Sequence, residues 1–279
     1  MRALFLIPGD AVCQLQALPA VAAVAEQLGF AMQVACAPAV APVWKLLPAV
    51  EKLIPFNFAD ATLADWANLL GSVREPDFQA CINLAGGRQV DLMLSMSHIP
   101  ARIAAGGFSA TEKVNVSDQG WPAQALEAYL RPIGVRLDAD AFRLRLPQKN
   151  LQEAAATLPP GDGPMLLLAP AGVPGDWPEP RWQELPATIR SRLPALRSLT
   201  LQPAEGSLLK RAARIATSDV VLSSDPLSEE LALLCGVPLV ALGRGDDSLP
   251  TRQGVKGLMA AGGLGELSSD AVLAALGFG

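Results

Sequence analysis

Three short polar segments stand out because each follows an apolar run and leads into a stretch of helical character. The first is Pro8-Gly9-Asp10, directly after the run ALFLI at 3–7. Open α/β sheets bind ligands beyond the carboxyl ends of their strands, where helix N-termini offer free N–H groups. An aspartate placed there has two uses. It caps the helix that begins at residue 11, or it acts as a general base that draws a proton from an acceptor hydroxyl. Gly9 belongs to the same candidate ligand-contacting loop. The second segment is Pro170-Ala171-Gly172, after MLLLA at 165–169, with Trp177-Pro178 and Arg181 following. Small residues let a phosphate approach the backbone closely, and Arg181 is a candidate phosphate partner. The plainer alternative is a β–α connection with two packing tryptophans, Trp177 and Trp182. The third is Ser223-Ser224-Asp225, before Pro226. It either docks a diphosphate on helix N–H groups or simply starts a helix, with Ser224 or Asp225 as cap and Pro226 at the first helical position.

The elements that must position these segments follow a regular rhythm of apolar strand, turn and helix. Strands are expected at 2–7, 31–37, 52–56, 78–84 and 102–105, with helices at 11–28 (ended by Gly29), 40–47, 60–73 and 89–97. The run Pro159-Pro160-Gly161-Asp162-Gly163-Pro164 reads as a hinge. The rhythm then restarts. Strands are expected at 165–169, 196–201, 220–223 and 239–242, with helices at 180–192 (interrupted by Pro186), 205–216, 227–235 and 269–276. Alternation of this kind signals βαβ units around a parallel sheet, and near-continuous apolar strands suit burial on both faces. The expected fold class is α/β: two Rossmann-like domains, 1–158 and 165–279, facing each other across a cleft. The second reads as truncated.

Composition narrows the chemistry. The 279 residues carry a formal charge of −5, with 51% hydrophobic and only 18% charged residues. That permits a large core and excludes global disorder. The acidic balance argues against a nucleic-acid partner. The one histidine, His98, makes serine–histidine triads and multi-histidine metal sites poor candidates; it reads as a structural residue, and Arg88 and Arg102 beside it as solvated charges or a basic wall. Cys13, Cys36, Cys81 and Cys235 are too dispersed for a C-x-x-C motif and read as thiols of a reducing compartment. No G-x-G-x-x-G follows the first strand, which disfavours a dinucleotide-dependent oxidoreductase. No metal site and no cofactor is expected. The apolar run near the N-terminus is broken by Pro8-Gly9-Asp10 before it reaches export-signal length, and no segment reads as a clean membrane span. The expected location is the cytoplasm, with peripheral attachment to the inner membrane face left open.

In this order, the segments resemble the heptosyltransferase-like glycosyltransferases of family 9, which have the GT-B fold. The resemblance spans nearly the whole chain and rests on ALFLIPGD with QALPAV, KLIPF, Ile82-Asn83-Leu84-Ala85-Gly86, LLLAPAG, GDWPEPRWQEL and VVLSSDPLSEELALLCGVPLVALG. It implies that Asp10 is the catalytic base, that the second domain holds a nucleotide-sugar donor, and that a glycan or glycolipid is the acceptor. It implies metal-independent transfer with inversion. Three positions depart from the family pattern. Gly175 replaces a phosphate-binding lysine, Leu227 replaces a glycine beside the donor diphosphate, and Glu230 replaces a histidine. A carboxylate about 4 Å from a donor phosphate opposes binding by roughly 1–4 kcal/mol. The family's ribose-contacting glutamate has no firm counterpart, Glu205 being the nearest in position. The departures keep a second reading open, a degenerate relative that serves as a binding or assembly partner of another protein.

Overall fold

The structure is a computed structural model and describes residues 1–75, 77–203 and 206–278. The chain divides into two compact units, Met1–Phe142 and Arg143–Gly279. The first contains β1 (Arg2–Leu6), α1 (Ala11–Leu28), β2 (Ala31–Cys36), β3 (Val50–Pro55), α2 (Leu63–Arg74) and β4 (Phe78–Asn83). It continues with α3 (Arg88–Ser95), β5 (Ala101–Ala104), β6 (Glu112–Lys113), α4 (Pro122–Ala125) and α5 (Glu127–Leu130). A 3-10 helix, Pro38–Leu46, lies between β2 and β3. The second unit contains α6 (Gln148–Ala156), β7 (Met165–Ala169), α7 (Glu179–Arg192), β8 (Arg197–Thr200) and α8 (Leu208–Ala216). It ends with β9 (Val220–Ser223), α9 (Pro226–Cys235), β10 (Leu239–Leu242), β11 (Val255–Leu258) and α10 (Ser269–Ala275). The division lies upstream of the Pro159–Pro164 segment, because α6 packs on α8 and belongs with the second unit.

Both sheets are parallel throughout. The first has six strands in the order β3-β2-β1-β4-β5-β6, the second five in the order β11-β10-β9-β7-β8. The first order is the dinucleotide-fold arrangement and the second the flavodoxin-like one. Each has a point where the strand order reverses, between β1 and β4 in the first sheet and between β7 and β9 in the second. The chain leaves these neighbouring strand ends in opposite directions, which opens a crevice there. The strands at both points are buried: Ala3, Leu4, Phe5 and Leu6 in β1, and Met165 through Ala169 in β7. Leu4, Leu6, Phe56, Phe78 and Met93 share one core cluster. Leu168, Trp177, Trp182, Ile189 and Val240 share the other.

Local chemistry explains where elements begin and end. Gly29, with φ 64°, closes α1 in the left-handed conformation that glycine adopts without strain. Helix α2 begins at Leu63 rather than at residue 60. Thr62 and Asp65 form a reciprocal capping box, while the Asp60 carboxylate accepts from Asn57 Nδ2 at 3.1 Å. Helix α7 runs through Pro186 instead of breaking there. Its face of Trp182, Leu185, Pro186 and Ile189 is buried, and that packing outweighs the lost backbone hydrogen bond. Helix α8 begins at Leu208, with Ser207 as cap; Glu205, the expected start, lies outside the described residues. Among the described residues only Ala11–Leu28 has the length and composition to cross a membrane, and half of it is buried inside the first unit.

Candidate functional site

At the reversal point of the first sheet, Pro8-Gly9-Asp10 leaves β1 and residues 84–87 leave β4. Asp10 is exposed and caps α1, accepting from Cys13 N at 3.0 Å. Gly9 has φ +94°, and a Cβ there would come within 2.8 Å of Cys13 Sγ, so no side chain fits without displacing the thiol. Partial burial pushes the Cys13 thiol pKa up, and the neighbouring Asp10 charge adds to the rise. The loop is fixed from beneath by Gln14, which is fully buried. Its Nε2 donates to Ile7 O at 3.1 Å and Pro8 O at 3.3 Å, and its Oε1 accepts from Trp44 Nε1 at 3.0 Å. Sequence reasoning passed over Gln14. The available signal was an amide at a core-facing position of an otherwise apolar helix.

At the reversal point of the second sheet the structure brings two of the sequence-selected segments together. Ala171 N donates to Ser224 Oγ at 2.9 Å, joining the loop after β7 to the loop after β9. Ser223 is fully buried; its Oγ donates to Ala169 O and accepts from Asp225 N, both at 3.0 Å. Gly172, at φ +67°, gives its N–H to Asp176 Oδ2 at 2.9 Å. Asp225 caps α9, accepting from Ser228 N at 3.1 Å and Ser228 Oγ at 2.7 Å. The buried Arg211 guanidinium lies 3.4 Å from Asp225 and also donates to the carbonyls of Pro203 and Gln202. Pro170 is buried at the head of the loop. The backbone donors of Ala171, Gly172, Asp225 and Ser228 are thus each engaged by an oxygen of the protein itself.

Arg181 does not join this group. Its Nη1 donates to Gly265 O at 3.0 Å and Leu267 O at 2.6 Å, so its charge tethers the turn before α10. Trp177 Nε1 donates to the same Leu267 carbonyl at 2.9 Å. Trp177 and Trp182 meet edge to face with centroids 5.1 Å apart; both are core residues. Arg102 likewise spends its donors on the carbonyls of Ser109 and Ile99. His98 is exposed, holds φ 63°, and its Nε2 lies 2.7 Å from Arg74 Nη2.

The positions that depart from the family pattern have distinct surroundings. Gly175 takes φ +88° with open space where a side chain would project. Glu229 and Glu230, on α9, are buried and face one guanidinium: Arg244 Nη1 lies 3.5 Å from Glu229 Oε2 and 3.0 Å from Glu230 Oε1. Glu229 Oε2 accepts no hydrogen bond. Burial pushes the Glu229 carboxyl up to about 8, against the pull of Arg244 and with help from Glu230. Glu229 therefore holds a proton near neutral pH. Among the described residues no group of three or more His, Cys, Asp or Glu side chains is placed to hold a metal.

Two parallel Rossmann-like sheets in one chain, with ligand-type loops at each reversal point, are the fold of the GT-B glycosyltransferases. Comparison with solved structures makes this specific. The chain matches the family 9 glycosyl transferase of Veillonella parvula at 14% identity, over 99% of this chain and 96% of that one, with a TM-score of 0.78. The E. coli ADP-heptose LPS heptosyltransferase II matches at 16% identity, over 99% and 98%, with a TM-score of 0.72. The E. coli heptosyltransferase WaaC with ADP-2-deoxy-2-fluoro heptose matches at 16% identity, over 99% of both chains, with a TM-score of 0.69. No family model and no curated protein matches the chain.

Proposed function

We propose that the chain transfers a sugar from a nucleotide-activated donor to a hydroxyl of an envelope glycan or glycolipid, with inversion and without a metal. The observation that carries this reading is Asp10. It is an exposed carboxylate beyond the carboxyl end of β1, at the reversal point of its sheet, on a loop that Gly9 shapes and Gln14 clamps. Asp10 takes the acceptor proton, the freed oxygen attacks the anomeric carbon, and the bond from that carbon to the diphosphate oxygen breaks. The loops at 170–172 and 223–225 supply the donor side. Ser224 Oγ and the N–H groups of Ala171 and Gly172 turn from their internal partners to the diphosphate. The ADP-heptose and ADP in the names of the structural neighbours favour a nucleoside diphosphate leaving group. Such chemistry suits the cytoplasm at the inner membrane face, where free thiols persist.

A second reading is favoured by the second unit itself. Its donor loops satisfy their own N–H groups, α9 begins with a proline behind a capping aspartate, and a buried carboxylate pair follows within one turn. A chain that kept the shell and gave up the donor would act as a binding or assembly partner of another protein. Thermal shift with ADP, UDP, GDP and their sugars at millimolar concentration separates the two. A ligand at about 100 times its Kd stabilises the folded state by roughly 2.7 kcal/mol, so transferase chemistry predicts a clear rise in Tm. An unchanged Tm with every nucleotide rejects the transferase reading. Where a shift is seen, Asp10→Asn is expected to abolish transfer and keep it.

A further inference from the structure

Beyond the ends of β4 and β5 the first unit holds a cavity of about 270 Å3 that nothing above uses. Its wall is mostly backbone: the pairs Gly86-Gly87 and Gly106-Gly107, with Ala85 and Ala105. Glycine at 107 is required. It has φ +101°, and a Cβ there would lie 2.2 Å from Asp91 Oδ1. Two polar side chains on the wall are more than nine-tenths buried and lack partners for their donors among the described residues. Asn83, at the end of β4, is 4% exposed; its Oδ1 accepts from Ala85 N at 3.0 Å, and its Nδ2 has no protein acceptor. Tyr129, on α5, is 8% exposed, and its hydroxyl has no protein partner. Burial pushes the phenol pKa up, so the hydroxyl keeps its proton at neutral pH. Neither donor atom is sealed from solvent, so both are open to a ligand that enters the cavity.

The charge on the wall selects the ligand. Among the described residues Asp91 is the one carboxylate lining the cavity, and no lysine, arginine or histidine lines it. Its carboxylate is held by Ser109 Oγ at 2.6 Å, Ser109 N at 3.4 Å and Phe108 N at 3.2 Å. A second anion would sit beside it without a cation to balance the pair. What fits is a neutral molecule whose oxygens accept from Asn83 and Tyr129 and whose hydroxyls donate to the glycine carbonyls. The volume falls just below the range of about 300–1,000 Å3 that takes drug-sized ligands, which limits the occupant to about one ring.

We propose that this cavity binds a single neutral hydroxylated ring, a monosaccharide unit without carboxylate or phosphate, through Asn83 and Tyr129. It rests on the transferase reading only in making that ring the end of the acceptor; binding itself needs no turnover. The test is a titration of the full 15N-labelled chain with glucose, galactose and mannose, set against glucuronate, galacturonate and mannose 6-phosphate, following the amides of residues 86, 87, 106 and 107. The expected result is saturable shifts at those amides with at least one neutral sugar, and at least tenfold weaker binding of its charged counterpart. Tyr129→Phe, which removes only the hydroxyl, is expected to weaken that binding about fivefold or more at unchanged Tm. Charged rings that bind as well as neutral ones, shifts that never saturate, or a Tyr129→Phe chain that binds like the parent would each overturn the proposal. Nucleotides that leave Tm unchanged would strike the transferase reading and leave these shifts in place.

Discussion

The two sheets reverse their strand order in the same way, yet what lies beyond the two reversal points differs. In the first unit the ligand-type groups are open: Asp10 is exposed, and the donors of Asn83 and Tyr129 face a cavity without partners. In the second unit the corresponding groups are closed on one another, with Ser224 on Ala171, Asp176 on Gly172, Asp225 on Ser228, and two buried glutamates on one arginine. Topology therefore marks where a ligand can bind. Whether the place is available depends on how many of its hydrogen-bonding groups are already engaged.

The contrast can be broken most severely at Arg244. Arg244→Met takes from the buried Glu229 and Glu230 the guanidinium that faces both, and a cost of about 3–5 kcal/mol is expected. Urea unfolding measures it, and hydrogen exchange should place the loss in β9 and α9. A cost below about 1 kcal/mol would mean that the carboxylates shed their charge instead. In the first unit Gly107→Ala forces a side chain onto Asp91 at a positive φ. The expected loss is about 1–3 kcal/mol, read as a lower Tm together with exposure of the Ser109 amide.

A gentler change sharpens the comparison through pH. With the Glu229 carboxyl at about 8 when folded and near 4.3 unfolded, the folded state holds a proton that the unfolded chain releases. Its contribution to stability is fully present below the unfolded value and is lost as pH rises through about 8. Glu229→Gln removes this dependence. The variant should gain on the parent steadily from pH 5 to pH 8, ending at least about 2–4 °C higher in Tm. Parallel pH profiles would show that Glu229 is ionised throughout. The smallest effect on stability is expected for Asp10→Asn, because asparagine and aspartate cap helices about equally well. Removing the charge should lower the Cys13 thiol pKa and raise its rate of alkylation at pH 8. Unchanged reactivity would separate the thiol from the carboxylate.

Much of the architecture was legible in the residues because strand burial and helix capping are local. The runs ALFLI and MLLLA are too apolar to lie at a surface, and Gly29 ends its helix where expected. Short edge strands such as Glu112–Lys113 carry no apolar signature and were not legible. Of the candidate site, the Pro170-Ala171-Gly172 and Ser223-Ser224-Asp225 segments do meet, since strand ends gather their loops. The tether that Arg181 makes was not legible, because nothing in its neighbourhood reveals that carbonyls 84 and 86 residues away would take its donors. Tyr129 was invisible for a related reason: it reaches the ends of β4 and β5 from a short helix far along the chain.

The bond between Trp44 and Gln14 has a practical use. One amide links an indole to the carbonyls on which the Asp10 loop rests, so movement of that loop must alter the surroundings of the ring. With the other four of the five tryptophans changed to phenylalanine, Trp44 emission becomes a label-free optical gauge of loop motion, native to the protein and seated one side chain beneath it.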